Sequence, residues 1–391
     1  MKYRIRCLVA TSALAATALA GCSESDPFAA EPVNMACPAQ SGTAVTLVVG
    51  ARANSPVPKL PDQVRALVRE AAKKSAPIQV IRVDGVPTVA LNATFKSTGK
   101  NDAIRGRELT GFLDQITGFV GRLQPKQPQA DVLGALTLAA HGTPEGGTIV
   151  LLDSGIPTTG PLTFTNTEMF TVKPTEVADF LGTEKLVPDL TGRSVVLAGL
   201  GDTADPQEVL PENYHKQVTD LWTTVADRAD AACVDALTSA PGRTAITTAV
   251  PVSVVALPKP PAFSDCGTTV LSDSSPVGFT SNTADYRDPD GAAATLKKLA
   301  DRMKGHTQRV TLTGTTSSEG SEESNQDLSE RRAAAVKTSL TDLGVESSRI
   351  TAKGAGEHGP NRVRDTTKDG TLIPGAASRN RSVVVTLACG D

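Results

Sequence analysis

The stretch Gly314-Thr-Thr-Ser-Ser-Glu-Gly-Ser321, followed by Asn325-Gln-Asp-Leu-Ser-Glu-Arg-Arg-Ala333, holds the residues best suited to do chemistry. It reads as a strand end and a polar loop running into a helix. In that helix, expected over Asn325 to Leu343, Leu328, Ala335, Val336 and Leu343 recur with a 3.6-residue period. Arg332 falls between Leu328 and Val336, on or beside the buried face. An arginine there needs an anion or a cluster of acceptors, because an unpaired buried charge is costly. A guanidinium matches a carboxylate through two parallel hydrogen bonds. The chemistry expected is therefore recognition of a carboxylate. The structural alternative is an arginine satisfied by backbone carbonyls or by a carboxylate of its own domain, such as Asp327. Glu319, in a flexible Gly/Ser loop, is either a solvated acid or one that swings in towards a bound cation.

Nothing in the chain reads as bond-making machinery. No Gly-x-Ser-x-Gly elbow, Walker loop or His-Glu-x-x-His is present. The four histidines, His141, His215, His306 and His358, fall in loops or at helix ends, apart from any cysteine nucleophile or acid pair. Gly199-Leu-Gly201 lacks the third glycine of a dinucleotide fingerprint. We expect a non-enzyme without a cofactor. A net charge of −3 with no concentrated basic run argues against nucleic acid as a partner. Aromatic residues make up 3% of the chain and Trp222 is its one tryptophan, so a surface of stacked rings for sugars is not available.

The elements that position Arg332 belong to a second domain, residues 266–391. Val277 to Thr280 is expected to be a short strand. Asp290 to Met303 is expected to be a helix with Leu296, Leu299 and Met303 in one stripe. Strands follow at Arg309–Thr313, Arg349–Ala352 and Ser382–Leu387, with the Arg332 helix after the first of them, giving βαβαββ. Along this frame lie Ser281-Asn-Thr-Ala284, Gly314 to Gly320, Leu328-Ser-Glu-Arg-Arg-Ala333, Gly344-Val-Glu-Ser-Ser-Arg-Ile350, Gly354-Ala-Gly-Glu-His-Gly-Pro360 and Arg379-Asn-Arg381. Together they resemble the OmpA-like peptidoglycan-binding domain, an α/β sandwich.

The resemblance implies that the domain grips the peptide stem of peptidoglycan. Arg332 matches the arginine that holds a diaminopimelate carboxylate. Asn325 matches a family asparagine, although helix N-capping explains it equally well. Thr315, Thr316 and Ser317 form the loop beside them, and Arg381 matches the closing arginine. Two positions depart from the family. The aspartate that receives the diaminopimelate ammonium is Ser317 here, and the arginine after Arg381 is Ser382. A charge-assisted hydrogen bond contributes about 1.5–3 kcal/mol, so its loss is expected to weaken binding by roughly one to two powers of ten. Asn361 to Ser378, holding Arg362, Arg364, Asp365, Lys368 and Asp369, is a long polar loop. It reads as surface decoration or as a contact to wall polymer or a partner.

A first domain, residues 37–240, alternates strands and helices, which argues for an α/β, doubly wound, three-layer unit with helices on both faces of a mostly parallel sheet. Strands are expected at Ala44–Val49, Ile78–Val83, Thr88–Phe95, Thr148–Leu152 and Ser194–Leu200. Helices are expected at Asp62–Ser75, within Asn101–Leu123, at Ala130–Ala140 and at Leu210–Ala232. Ile149-Val-Leu-Leu-Asp-Ser-Gly155 and Ser194-Val-Val-Leu-Ala-Gly-Leu-Gly201 resemble consecutive strands of von Willebrand factor A domains. Those domains hold a metal through Asp-x-Ser-x-Ser, where this chain reads Gly50-Ala-Arg52-Ala-Asn54 without a carboxylate. A divalent cation prefers hard oxygen ligands, so no metal is expected. Asp153 and Asp202 read as solvated loop acids. Residues 241–265 form a Pro-rich linker, with Val252–Leu257 pairing with an edge strand and Pro258–Pro261 in extended polyproline.

Lys2, Arg4 and Arg6 precede a short apolar run, Cys7 to Ala20, which reads as a signal peptide over residues 1–21. Leu19-Ala-Gly-Cys22 looks like a bacterial lipobox, which implies a lipidated Cys22 followed by a tether over 22–36. Cys37, Cys233, Cys266 and Cys389 are too scattered for a zinc site. In an oxidising compartment they form two disulfides, with three pairings open. Cys37–Cys233 with Cys266–Cys389 is preferred, because each then closes one domain at its two ends. The resulting expectation is an extracytoplasmic, membrane-anchored lipoprotein of the cell envelope. Its second domain binds peptidoglycan non-covalently and links membrane to wall, and its first binds another envelope component. The alternative, motivated by Ser317, is a protein-interaction scaffold with a degenerate wall site.

Overall fold

The computed structural model describes residues 35–37, 43–238, 244–304 and 306–388. The expected signal peptide, the lipidation site Cys22, most of the tether and Cys389 lie outside these residues.

The first sheet contains β1 (Val45–Gly50), β2 (Ile78–Val83), β3 (Thr88–Ala93), β4 (Thr148–Leu152), β5 (Ser194–Ala198) and β6 (Cys233–Leu237). Their order is β3-β2-β1-β4-β5-β6, parallel throughout except for β3, which runs antiparallel to β2. β1 and β4 are buried along their whole length, as expected of strands covered on both faces. Alternation along β1 sends Leu47 and Val49 into one core, with α1 (Asp62–Lys73) and α2 (Asp102–Gly121). Val48 enters the other, with α3 (Val132–Gly142), α4 (Pro174–Thr183) and α5 (Glu212–Arg228).

Neither β6 nor α4 is expected from the sequence. α4 opens with Pro174 in its first turn, where the missing N–H costs nothing, and buries Val177, Ala178 and Leu181. Cys37 and Cys233 are joined by a disulfide, the preferred pairing. Cys266 is also disulfide-bonded.

The edge where β1 and β4 end corrects one expectation. Asp153 is not a solvated loop acid. It is buried and gripped by both Nη groups of Arg52, itself 1% exposed, with Nη2 at 2.8 Å from Oδ1 and 2.7 Å from Ser154 Oγ. A Cβ at position 50 would collide with the Asp153 carboxylate, so glycine there makes room for the pair. Asp202 is also largely withdrawn from water. Burial raises its pKa, and His215 Nε2 lies 3.3 Å away. Among the described residues no group of three His, Cys, Asp or Glu side chains could hold a metal ion.

The described part of the linker is fastened to the first unit. Val252–Leu257 forms no strand. Instead the side-chain amide of Gln207 brackets Val255, accepting from its N–H at 2.7 Å and donating to its carbonyl at 2.8 Å. Gln129 serves Ser253 in a similar way. Pro251 and Pro258 flank this segment and lack the N–H donors a strand ladder requires.

The second sheet contains β7 (Gly267–Ser272), β8 (Val310–Thr315), β9 (Ile350–Gly354) and β10 (Ser382–Leu387), ordered β7-β10-β8-β9. β10 is antiparallel to both neighbours, and β8 and β9 are parallel. α6 (Pro289–Met303) and α7 (Glu322–Asp342) cover it through Leu296, Leu299, Met303, Leu312, Val336 and Val385. The strand expected at Val277–Thr280 is replaced by β7, further upstream. Val277 and Phe279 are buried outside any strand, and Phe279 makes an isolated bridge with Tyr286. The expected loop over 361–378 ends in a short helix, α8 (Pro374–Asn380). No helix among the described residues is long and apolar enough to cross a membrane.

Candidate ligand-binding site

α7 buries Asn325, Ser329, Arg332, Ala333, Val336 and Leu340. The buried stripe is thus rotated from the expected one, and Leu328 and Leu343 flank it half-buried. Gly314 on β8 and Gly354 on β9 account for the rotation, because a Cβ on either would run into Ser329. With no side chain in between, α7 settles directly on the ends of these strands and turns Arg332 inward.

Arg332 is 3% exposed. Its Nε donates to the Thr283 carbonyl at 3.0 Å, and the guanidinium lies 5.2 Å from the centroid of the Phe279 ring, in cation–π range. Among the described residues no other hydrogen bond reaches this guanidinium. Asp327, offered by the sequence as a structural partner, pairs with Arg331 at 2.9 Å instead. Burial pushes the Arg332 pKa down to about 10, with Asp273 opposing the shift. The Nη groups therefore belong to a desolvated cation without a close protein counter-ion.

Arg332 opens onto a cavity of about 280 Å³ that Phe279, Ser281, Thr316, Ser317 and Asn325 also line. Asn325 is 4% exposed, and neither its Nδ2 nor Thr316 Oγ1 has a hydrogen-bond partner. A buried group left unpaired costs about 1–3 kcal/mol, so both are suited to meet a polar ligand. Asn325 is not the helix cap. Ser321 is, in a capping box with Ser324.

The far wall joins Arg381 and Glu319, which the sequence singled out, to Asp273, Arg287, Glu176 and Lys173, which it did not. Asp273 is buried, which holds its carboxyl above the usual range against the pull of Arg287, Arg381 and Arg332. Arg287 donates to the Asp273 backbone carbonyl. Arg381 donates from Nη2 to Glu176 Oε2 at 2.8 Å and from Nε to Ser317 Oγ at 3.4 Å. Its Nη1 is 3.7 Å from Asp273 and its Nη2 is 3.7 Å from Glu319. Glu319 is mostly exposed, so its hold on Arg381 is screened. Glu176, in the first turn of α4, and Lys173, just before that helix, come from the first domain. The signals that could have found that helix are Pro174, Glu176 and the Val177–Leu181 spacing.

The long loop is more than decoration. Asp365 is buried and accepts from Ser318 N at 2.9 Å, from Ser318 Oγ at 2.6 Å and from Arg362 at 2.9 Å. Arg362 also donates to the Thr316 carbonyl at 3.1 Å. These contacts fix the loop that carries Thr316 and Ser317. Thr315 does not join the site. Its hydroxyl donates to the Asn380 carbonyl at 2.6 Å, lies 2.8 Å from Ser382 Oγ, and faces a separate cavity of about 330 Å³ shared with Arg362, Arg379 and Glu168.

Residues 279–371 match the OmpA family model, so the chain carries an OmpA family domain towards its C-terminal end. Outer membrane porin F of Pseudomonas aeruginosa is 44% identical over 73 residues, which is 18% of this chain and 21% of the porin. A photosystem I P700 chlorophyll a apoprotein A2 from Gloeobacter violaceus is 43% identical over 77 residues, 19% of this chain and 9% of that protein. The chain thus spans about a fifth or less of either relative. Among solved structures, the peptidoglycan-associated lipoprotein from Burkholderia pseudomallei is similar at 22% identity and a TM-score of 0.25, over 30% of this chain and 89% of that one. The cell wall anchor of the T6SS from Pseudomonas aeruginosa is similar at 21% identity and a TM-score of 0.26, over 32% and 81%.

Proposed function

With an OmpA family domain as the premise, we propose that this protein is a non-enzymatic, lipid-anchored component of the cell envelope whose second domain binds the diaminopimelate-containing stem of peptidoglycan. The observation that carries the reading is Arg332. A buried guanidinium has its Nη groups free beside the unpaired Asn325 amide, in a cavity sized for an amino-acid side chain. A ligand carboxylate would supply the counter-charge through two parallel hydrogen bonds. Thr316 Oγ1 and Asn325 Nδ2 would then take the remaining polar groups. Cys22 would hold the chain at a membrane, and the first, von Willebrand A-like domain would position the wall domain or bind another envelope component. Co-sedimentation of the full chain with purified sacculi at moderate salt tests the reading. Native protein should pellet with the sacculi and Arg332→Ala should stay in solution.

Ser317 supports a second reading, since a hydroxyl brings no counter-charge to an ammonium group. On that reading the domains serve protein–protein contacts alone. Sacculi would then leave the native chain in solution, and crosslinking in cells would recover a defined protein partner.

A further inference from the structure

The cavity is walled in part by the first domain. Lys173, the residue preceding α4, lines it together with Arg332. Its Nζ is hydrogen-bonded to Ser281 Oγ of the second domain and stands 3.2 Å from Glu176 Oε1. An ammonium group has three donors, and the contact to Ser281 is the one hydrogen bond Lys173 makes among the described residues, so donor capacity remains for the cavity. The charges divide unevenly. Arg381 pairs with both Glu176 and Asp273, and Arg287 stands close enough to Asp273 to pull on its carboxyl. Glu319 stands largely in solvent. Arg332 has no ion-pair partner among the described residues, and Lys173 shares Glu176 with Arg381, so these two cations are the least neutralised in the cavity.

We infer that the site is shared between the domains and takes a ligand with two carboxylates, one held by Arg332 and the second by Lys173. The inference rests on the cavity being the ligand site proposed above, and adds to it a specificity-determining residue from outside the OmpA family match. A single-carboxylate ligand would satisfy Arg332 and leave Lys173 unused. The Lys173 side chain is 42% exposed, so its contribution is that of a partly screened pair, about fivefold in affinity.

The experiment is calorimetry on the full chain with L-Ala–γ-D-Glu–diaminopimelate and with forms of this tripeptide in which one carboxylate at a time is amidated. Native protein should bind the free acid about fivefold more tightly than the form amidated at the carboxylate that Lys173 reads. Lys173→Gln should lose that discrimination, and Lys173→Arg should keep it. Equal discrimination by native protein and Lys173→Gln overturns the inference while leaving wall binding intact. Tighter binding by Lys173→Gln also overturns it, since Lys173 would then obstruct the cavity. If native protein and Arg332→Ala alike ignore every peptide, the proposed function itself fails.

Discussion

Arg381 of the second domain and Glu176 of the first form an ion pair across the domain boundary, Nη2 to Oε2 at 2.8 Å, with side chains only 10% and 14% exposed. The same guanidinium touches Ser317 through Nε and Asp273 through Nη1, so one residue ties the ligand loop, the turn after β7 and α4 together. Removing one partner of a buried pair strands the other charge, at a cost of about 3–5 kcal/mol when burial is complete. Glu176→Ala should therefore loosen the domains from each other. Denaturant unfolding should change from one shared transition to two separable ones, and an unchanged curve would show that the pair does not couple them.

A second test concerns position 317. An aspartate there would set a carboxylate beside Arg381 Nε and within reach of the cavity. Ser317→Asp should strengthen binding of a diaminopimelate stem peptide by roughly tenfold, the scale of one charge-assisted hydrogen bond. Calorimetry with the matching peptide lacking the side-chain amine should show no gain. A gain of the same size with both peptides would place the ammonium elsewhere.

Asp365 gives a pH signature. Burial opposes its ionisation, but hydrogen bonds from Ser318 and Asn380 and the nearby Arg362 prevail and hold its carboxyl below the ordinary value. A depressed folded pKa means that the stabilisation is present above the unfolded value, about 3.9, and is lost as pH falls through the folded one. Asp365→Asn should therefore be less stable than native protein at pH 7. The gap in urea midpoint should close below about pH 4. A gap that persists at pH 2 would assign the effect to packing.

At the end of the first sheet, Arg52→Met should be severely destabilising, on the order of 3–5 kcal/mol, because it leaves the Asp153 charge buried and alone. Arg52→Met combined with Asp153→Leu should recover much of that loss. Thermal unfolding of the two variants checks it, and equal stability of the two would mean that Asp153 escapes to solvent.

What could be read in the sequence followed from local pattern. The helix of Arg332 announces itself through periodicity, and the strands of the first sheet through short apolar runs such as Val45–Gly50. β7 did not, because an edge strand that buries only Leu271 carries little apolar alternation. α4 lies in a stretch of Pro, Thr and Gly residues and offers just three buried side chains. Asn325 was open to reading as a cap, since the true cap, Ser321, is one serine among several. The Arg52–Asp153 and Arg381–Glu176 pairs join residues 101 and 205 positions apart. Contacts that long are set by topology, which no local spacing encodes.

The Cys37–Cys233 disulfide has a mechanical consequence. If the chain is held at a membrane through Cys22 and at the wall through Arg332, tension enters the first domain at Cys37. It can cross the disulfide directly to Cys233, pass along β6 and leave through the linker after Leu237. The covalent shortcut carries load past the other five strands to β6, in parallel with the contacts that fasten the linker and α4. The first domain could then keep its shape, and hold Lys173 and Glu176 in register, while the envelope is stretched.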